Sequence, residues 1–178
     1  MESLQGQLLI SSPILHDPNF RRTVVLMTHH DDEGAMGLVL SRPSEVLVAD
    51  AVPELADLPA DEVVYVGGPV QPEAVVVLVE HEDEPPDMPP IVGRVAFMQA
   101  EADVDELDVV RARVFAGYSG WGAGQLEAEI DESSWIVVPA EPDDVFAPDP
   151  DELWRRVLHR KGGKFALIAT MPFDPKLN

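Results

Sequence analysis

Residues 111–139 read RARVFAGYSGWGAGQLEAEIDESSWIVVP, and their interpretation decides the fold. From Val109 to Ala116 the chain alternates and ends in β-branched and aromatic residues, the pattern of a strand. Gly117, Gly120, Gly122 and Gly124 then punctuate a stretch that holds Tyr118, Ser119 and Trp121. That density of glycine predicts a loop. Leu126 and Ile130 stand four apart, on one face of a short helix. Trp135 to Val138 is a second apolar run, closed by Pro139. The unit reads as strand, glycine loop, helix, strand. A helix that opens from a glycine loop can hold an anion on its first amides. It can equally be a tight, packed corner.

Before this unit, Leu8-Leu9-Ile10 marks a first strand within Gly6–Ser11. Pro13 and the His16-Asp17-Pro18-Asn19 cluster predict a turn-rich loop. Thr23–His29 and Ala35–Leu40 are strand-like runs, and Asp31-Asp32-Glu33-Gly34 between them predicts a hairpin. Pro43 stops the second run, and Ser44 is an expected N-cap for a short helix to Asp50. Val63–Val66 is a strand ending in Gly67-Gly68-Pro69, and Ala74–Glu80 is a valine-rich buried strand. Glu80–Pro90 is too rich in acids and prolines for anything but a solvated loop. Val92–Gln99 returns to strand character, and the acidic Glu101–Asp108 predicts a helical turn or a loop.

Past Pro139, a Pro-acid segment (Glu141–Asp151) leads into a helix over Pro150–Arg160. There Leu153, Trp154, Val157 and Leu158 recur at helical spacing. Gly162-Gly163 supplies its C-cap. Phe165–Thr170 is an apolar run of open type, and the tail after Pro172 reads as loose. About seven or eight strands and three or four helices result, with successive strands uninterrupted by helices. The expected class is α+β with a mostly antiparallel sheet, in one domain spanning residues 1–178.

The chain has 178 residues, enough for a sizeable core. It carries 12 Lys and Arg against 33 Asp and Glu, a formal charge of −21. Phosphate backbones and anionic lipid are recognised by cations, so direct nucleic-acid binding and membrane docking are disfavoured. With no cysteine, disulfides, thiolate catalysis and Cys-based metal clusters are excluded within this chain. The N-terminus, MESLQGQLLISSP, lacks a basic n-region and a long apolar run, so no secretory signal is expected. No run approaches the roughly 20 apolar residues of a membrane helix. The expected location is cytoplasmic.

Four stretches together resemble one family: residues 6–43, YVGGPV at 65–70, VFAGYSGWGAGQLEAEI at 114–130, and Trp135 with the later Leu153-Trp154. Their order and spacing are similar to those of the AlgH/YqgE family of small bacterial cytoplasmic proteins. The resemblance implies an α+β fold whose branched sheet curls into a pseudo-barrel with a few flanking helices. It implies no established catalytic activity and supplies no catalytic residue to carry over. The family's label comes from a proposed role in regulating alginate genes. The chain departs from the family pattern at Ser41, where Asn is typical, and at VLVEH (77–81).

Gly117-Tyr118-Ser119-Gly120-Trp121 narrowly misses the nucleophile elbow G-x-S-x-G, because Trp121 stands where the strained turn needs glycine. A hydrolase using Ser119 with a histidine such as His159 is the enzymatic alternative; otherwise Ser119 bonds the local backbone. The glycine spacing matches neither dinucleotide nor P-loop fingerprints. His29 and His30 precede Asp31, Asp32 and Glu33, but neighbouring strand residues point to opposite faces, so no metal site is expected. His16 and His81 have no partner at ligand spacing. Arg155, Arg156, Arg160, Lys161 and Lys164 cluster near a helix end, where cations offset the macrodipole. They are also the only stripe that suits DNA. Arg21, Arg22 and Arg42 flank strand ends among acids. If Gly67-Gly68-Pro69 lies beside the Tyr118–Gly122 stretch, the two line one cleft.

The expected function is non-enzymatic binding or regulation, through a protein partner or a small anionic ligand, with no cofactor. The candidate surface is Gly67, Gly68, Pro69, Gly117, Tyr118, Ser119, Gly120, Trp121, Gly122 and Gln125.

Overall fold

The computed structural model describes residues 2–12, 22–84, 89–99, 103 and 108–170. The expected turn at His16–Asn19, Arg21, part of the Glu80–Pro90 loop, most of the Glu101–Asp108 segment and the tail past Pro172 lie outside the described residues.

The organising element is β8 (Val109–Gly122), a strand of 14 residues. It pairs antiparallel with β6 (Val70–His81) and with β3 (Gly34–Val39), and parallel with β5 (Val63–Val66). From this hub the sheet extends both ways, in the order β4-β5-β8-β3-β2-β1-β9. Its other members are β1 (Gln7–Ser11), β2 (Val24–Asp31), β4 (Pro43–Leu47) and β9 (Trp135–Pro139). A branch carries β7 (Val95–Phe97) on β6. The nine strands form a mixed, branched sheet. Among the described residues no ladder joins β4 to β9, so the sheet is open and not closed into a barrel.

The predicted glycine loop is therefore corrected: through Gly122 it is strand. Two of its small residues face glycines of β3, Gly34↔Gly122 and Gly37↔Ser119, and Gly120 lies opposite Met36. Composition pointed to a turn, but cross-strand packing decides strand pairing. The real irregularity is at Gly117, whose φ is +73°. Before it, Phe115 faces the central core; after it, Tyr118 does, and Trp121 faces outward. One left-handed residue shifts the alternation by one and lets a single strand change partners. β6 bulges at the same level, between Val70 and Val75.

Ser44 is likewise corrected. It lies in β4, where its hydroxyl donates to Val64 O at 2.5 Å and accepts from Val46 N–H, so α1 (Val48–Ala51) starts later. The strand expected over Val92–Gln99 shrinks to β7. The remaining helices are α2 (Gln125–Asp131), α3 (Pro142–Val145), α4 (Pro150–Lys161) and α5 (Lys164–Ile168). The Pro-acid segment thus hides α3, which is closed by a capping box between Glu141 and Asp144. None of the helices among the described residues is long and apolar enough to cross a membrane.

Three apolar clusters follow from strand alternation. The largest lies in the concavity of the sheet, where Leu8, Leu26, Leu38, Leu78 and Phe115 meet Leu153, Trp154, Val157 and Leu158 of α4. A second lies on the outer face of β5–β8–β6, beneath Val48, Leu55 and Leu58. The third sits on the outer face of β1–β3 and β9, with Leu126 of α2 and the edge-on pair Trp121–Trp135.

The two sheet margins differ. Along β9, Lys161 Nζ and Arg160 NH2 donate to the Val137 and Pro139 carbonyls, so α4 covers that edge with cations. At the other margin β4 is largely exposed, with Val46 and Leu47 turned toward solvent.

Candidate functional site

The structure brings the GGP turn and the 117–122 stretch together, but leaves no cleft between them. A Cβ on Gly67 would lie 2.4 Å from Gly117 O, and one on Gly68 would lie 2.2 Å from the Tyr118 carbonyl. A Cβ on Gly117 would lie 2.5 Å from Gly68 O. The two backbones touch because all three residues lack side chains. Gly67 N–H donates to Ala116 O, and Gly67 O accepts from Val39 N–H. The Gly67 amide is thus engaged within the sheet.

Ser119 is fully buried, and its hydroxyl donates to Gly67 O at 3.2 Å. That bond holds the crossing of the two segments. The expected backbone bond of Ser119 is thus made to a residue 52 positions away and not within its own stretch. His159 is exposed on α4. Trp121 is buried on the outer face against Trp135, with ring centroids 6.1 Å apart. At the start of α2, Gly122 N–H is taken by Gln125 Oε1 at 3.0 Å. Of the predicted surface, Gly67, Gly68, Gly117, Ser119 and Trp121 are buried, Tyr118 is half-buried, and Pro69, Gly120, Gly122 and Gln125 are exposed.

What emerges beside this crossing is an apolar row. Val66 of β5, Ala116 of β8 and Val75 of β6 stand side by side in register. They continue the outer face whose next row, Val64, Val114 and Val77, is buried under α1 and the turn at Pro53–Leu55. The cover ends one row short, leaving Val66 42% and Val75 50% exposed. Pro72 and Glu73 of the bulge and Glu62 ahead of β5 are exposed as well. Sequence reasoning placed Val75 in a buried run, because a valine string carries no mark of where its helical cover stops.

The histidine pair divides as expected. His29 is exposed and its Nε2 meets Asp31 Oδ2 at 2.8 Å. A hydrogen bond from Glu33 N–H, then the contact with His29, hold the Asp31 carboxyl below its ordinary pKa. His30 points inward, its Nε2 2.6 Å from Glu127 Oε1 and its Nδ1 3.0 Å from Leu4 N. Among the described residues no group of three or more His, Asp or Glu could hold a metal ion.

The cationic stripe is committed to the fold. Arg160 makes a paired contact with buried Asp144 (3.0 and 2.8 Å) and reaches Glu141, while Arg156 also meets Asp144. The hydrogen bond with Asp144 raises the Arg160 pKa. Arg155 pairs with Glu152, and Lys161 and Lys164 lie over the Phe165 ring. Arg22 stacks on Trp154.

Arg113 was missed as a feature. Its guanidinium is fully buried, bonded to Asp61 at 2.6 Å and Ala147 O at 3.0 Å, and 4.0 Å above the Tyr65 ring centre. The signal was available: Arg113 shares its strand face with Phe115, so an inward Phe115 requires an inward arginine.

A sequence profile of the AlgH-like family matches residues 8–166. The chain belongs to the AlgH-like family. The UPF0301 protein of Streptomyces coelicolor is 43% identical over 187 residues, covering 100% of this AlgH-like chain and 97% of its own. A UPF0301 protein of Mycobacterium marinum is 39% identical, covering 97% and 90%. The AlgH-like fold is also that of a crystal structure from Corynebacterium diphtheriae (TM-score 0.88, 29% identity, 96% and 93% covered). The solution structure of the AlgH protein from Pseudomonas aeruginosa superposes with a TM-score of 0.73 at 30% identity, covering 96% and 95%.

Proposed function

We propose that this protein works by binding another protein, and that the contact is made on the open end of the β5–β8–β6 face. The observation that carries this reading is the row Val66–Ala116–Val75. An apolar core surrounded by a polar rim is the usual anatomy of such a contact. Buried valines continue directly into exposed ones, so a partner would extend an existing core. The exposed acid Glu73, in the β6 bulge two residues from Val75, borders the row, on a chain of formal charge −21. The complementary partner is a protein face with an apolar centre and a Lys- or Arg-rich rim. A regulatory role, in this reading, follows from holding that partner and requires no chemistry by Ser119.

The test is photo-crosslinking in cells from single positions. A crosslinker at Val66 or Val75 should capture the same protein. One at Val110, an exposed valine near the start of β8, should not. Capture of unrelated proteins from all three positions would remove the proposal.

A further inference from the structure

We propose that His30 is a proton-operated latch for the N-terminal segment, residues 2–5. The imidazole side chain is 2% exposed and both of its nitrogens are engaged. Leu4 N–H can only donate, so Nδ1 must accept, and the ring proton sits on Nε2, facing Glu127. Neutral His30 therefore ties the segment to α2 through one ring. Ser3 reinforces the attachment by donating its hydroxyl to His30 O at 3.0 Å. Leu4 packs onto the outer apolar cluster that holds Leu9 and Met27.

A second proton on the ring falls on Nδ1. Two donors then face each other across 3.0 Å, and the Leu4 bond must break. The Nε2–H bond to Glu127 survives and strengthens, because the ring becomes cationic while the carboxylate remains ionised. That carboxylate is suited to the role, since its hydrogen bond with His30 holds its pKa below the ordinary value. Protonation would thus move the N-terminal segment and leave α2 in place.

The surroundings admit the proton. Glu2, Ser3, His30, Asp31 and Asp32 line a cavity of about 200 Å³ beside the ring. Glu2 comes from the segment itself, Asp31 from the end of β2, Asp32 from the turn after it, and Glu127 from α2. All four are acids, and Asp31 is committed to His29 and to Glu33 N–H. The ring thus has a carboxylate at Nε2, which a second ring proton suits, and a backbone donor at Nδ1, which it does not. Release of the segment lifts Leu4 off the outer cluster, so the latch controls access to an apolar surface.

Nuclear magnetic resonance of the ¹⁵N-labelled full chain between pH 8 and pH 5 tests this. The His30 ring should show an unprotonated Nδ1 at pH 8. As the ring gains its proton, the protection of the Leu4 amide against exchange should fall, by up to about tenfold per pH unit. The Leu9 amide in β1 should stay protected. In His30→Gln the Leu4 response to pH should vanish. Constant Leu4 protection between pH 8 and pH 5 would overturn the proposal, whether or not the ring titrates. So would a proton on Nδ1 at pH 8. The wild-type titration decides by itself if the variant fails to fold.

Discussion

Replacing Gly117 by alanine should cost much of the stability of this protein, whereas the same change at Gly120 should cost almost none. At Gly117 the new methyl would meet Gly68 O at 2.5 Å, Val70 O at 3.1 Å and Pro72 Cα at 3.2 Å, all on backbone that cannot rotate aside. The backbone φ of +73° adds a penalty of about 1–2 kcal/mol for an L-residue. Overpacking adds about 1–3 kcal/mol. The sum, about 2–5 kcal/mol, is a large part of a typical total of about 5–15 kcal/mol. At Gly120 the nearest atoms are the Val70 Cγ2 at 3.7 Å and the Tyr118 Cε2 at 3.8 Å, ordinary contacts. A substitution there falls within about 0.5 kcal/mol of neutral. Urea unfolding followed by far-ultraviolet circular dichroism reads the difference. With a slope of about 2 kcal/mol/M, Gly117→Ala should lower the midpoint by about 1–2.5 M and leave the slope unchanged. Equal midpoints for the two variants would refute the close backbone crossing.

Trp121→Ala should destabilise by about 3–5 kcal/mol, because it removes a buried indole and its edge-on partner contact; calorimetry checks this. Asp61→Ala should cost about 3 kcal/mol by stranding the buried Arg113 charge, while Arg113→Met should be near neutral in the same unfolding assay. Asp144→Ala should lower stability by about 3–5 kcal/mol and loosen α4, read as faster amide exchange across Pro150–Lys161. The folded-state pKa of Glu127 is depressed, so its contribution is present above the unfolded value and lost as pH falls through the folded one. Stability should thus decline below the ordinary carboxylate value of 4.5, and Glu127→Gln should make that acid limb shallower in unfolding curves taken across pH.

The strands and the long C-terminal helix were legible because alternation and 3–4 spacing survive in their apolar residues. Val24–Asp31 and Pro150–Lys161 need no tertiary information to be read. The Gly117–Gly122 stretch was misread because glycine carries no side chain to report a period. Its strand state depends on β3, far away in sequence, offering Gly34 and Gly37 as small partners. Ser44 was misread because its hydroxyl finds Val64 O on a neighbouring strand, a partner no local window contains. For the candidate surface, the sequence located the place where two glycine segments meet. It did not show that they fill one another, nor that the exposed apolar row lies beside them, because that row is defined by where a helical cover ends. The bond between His30 and Glu127 spans 97 positions and leaves no local trace.

The most direct measurement is the affinity of the protein captured from Val66 and Val75, taken by calorimetry for wild type and for the double variant Val66→Ser, Val75→Ser. Both positions are already half-exposed, so the urea midpoint should hold. Affinity should fall at least about tenfold, the loss of more than 1 kcal/mol that marks a contact centre. Unchanged affinity at an unchanged midpoint would contradict binding through the open end of the β5–β8–β6 face.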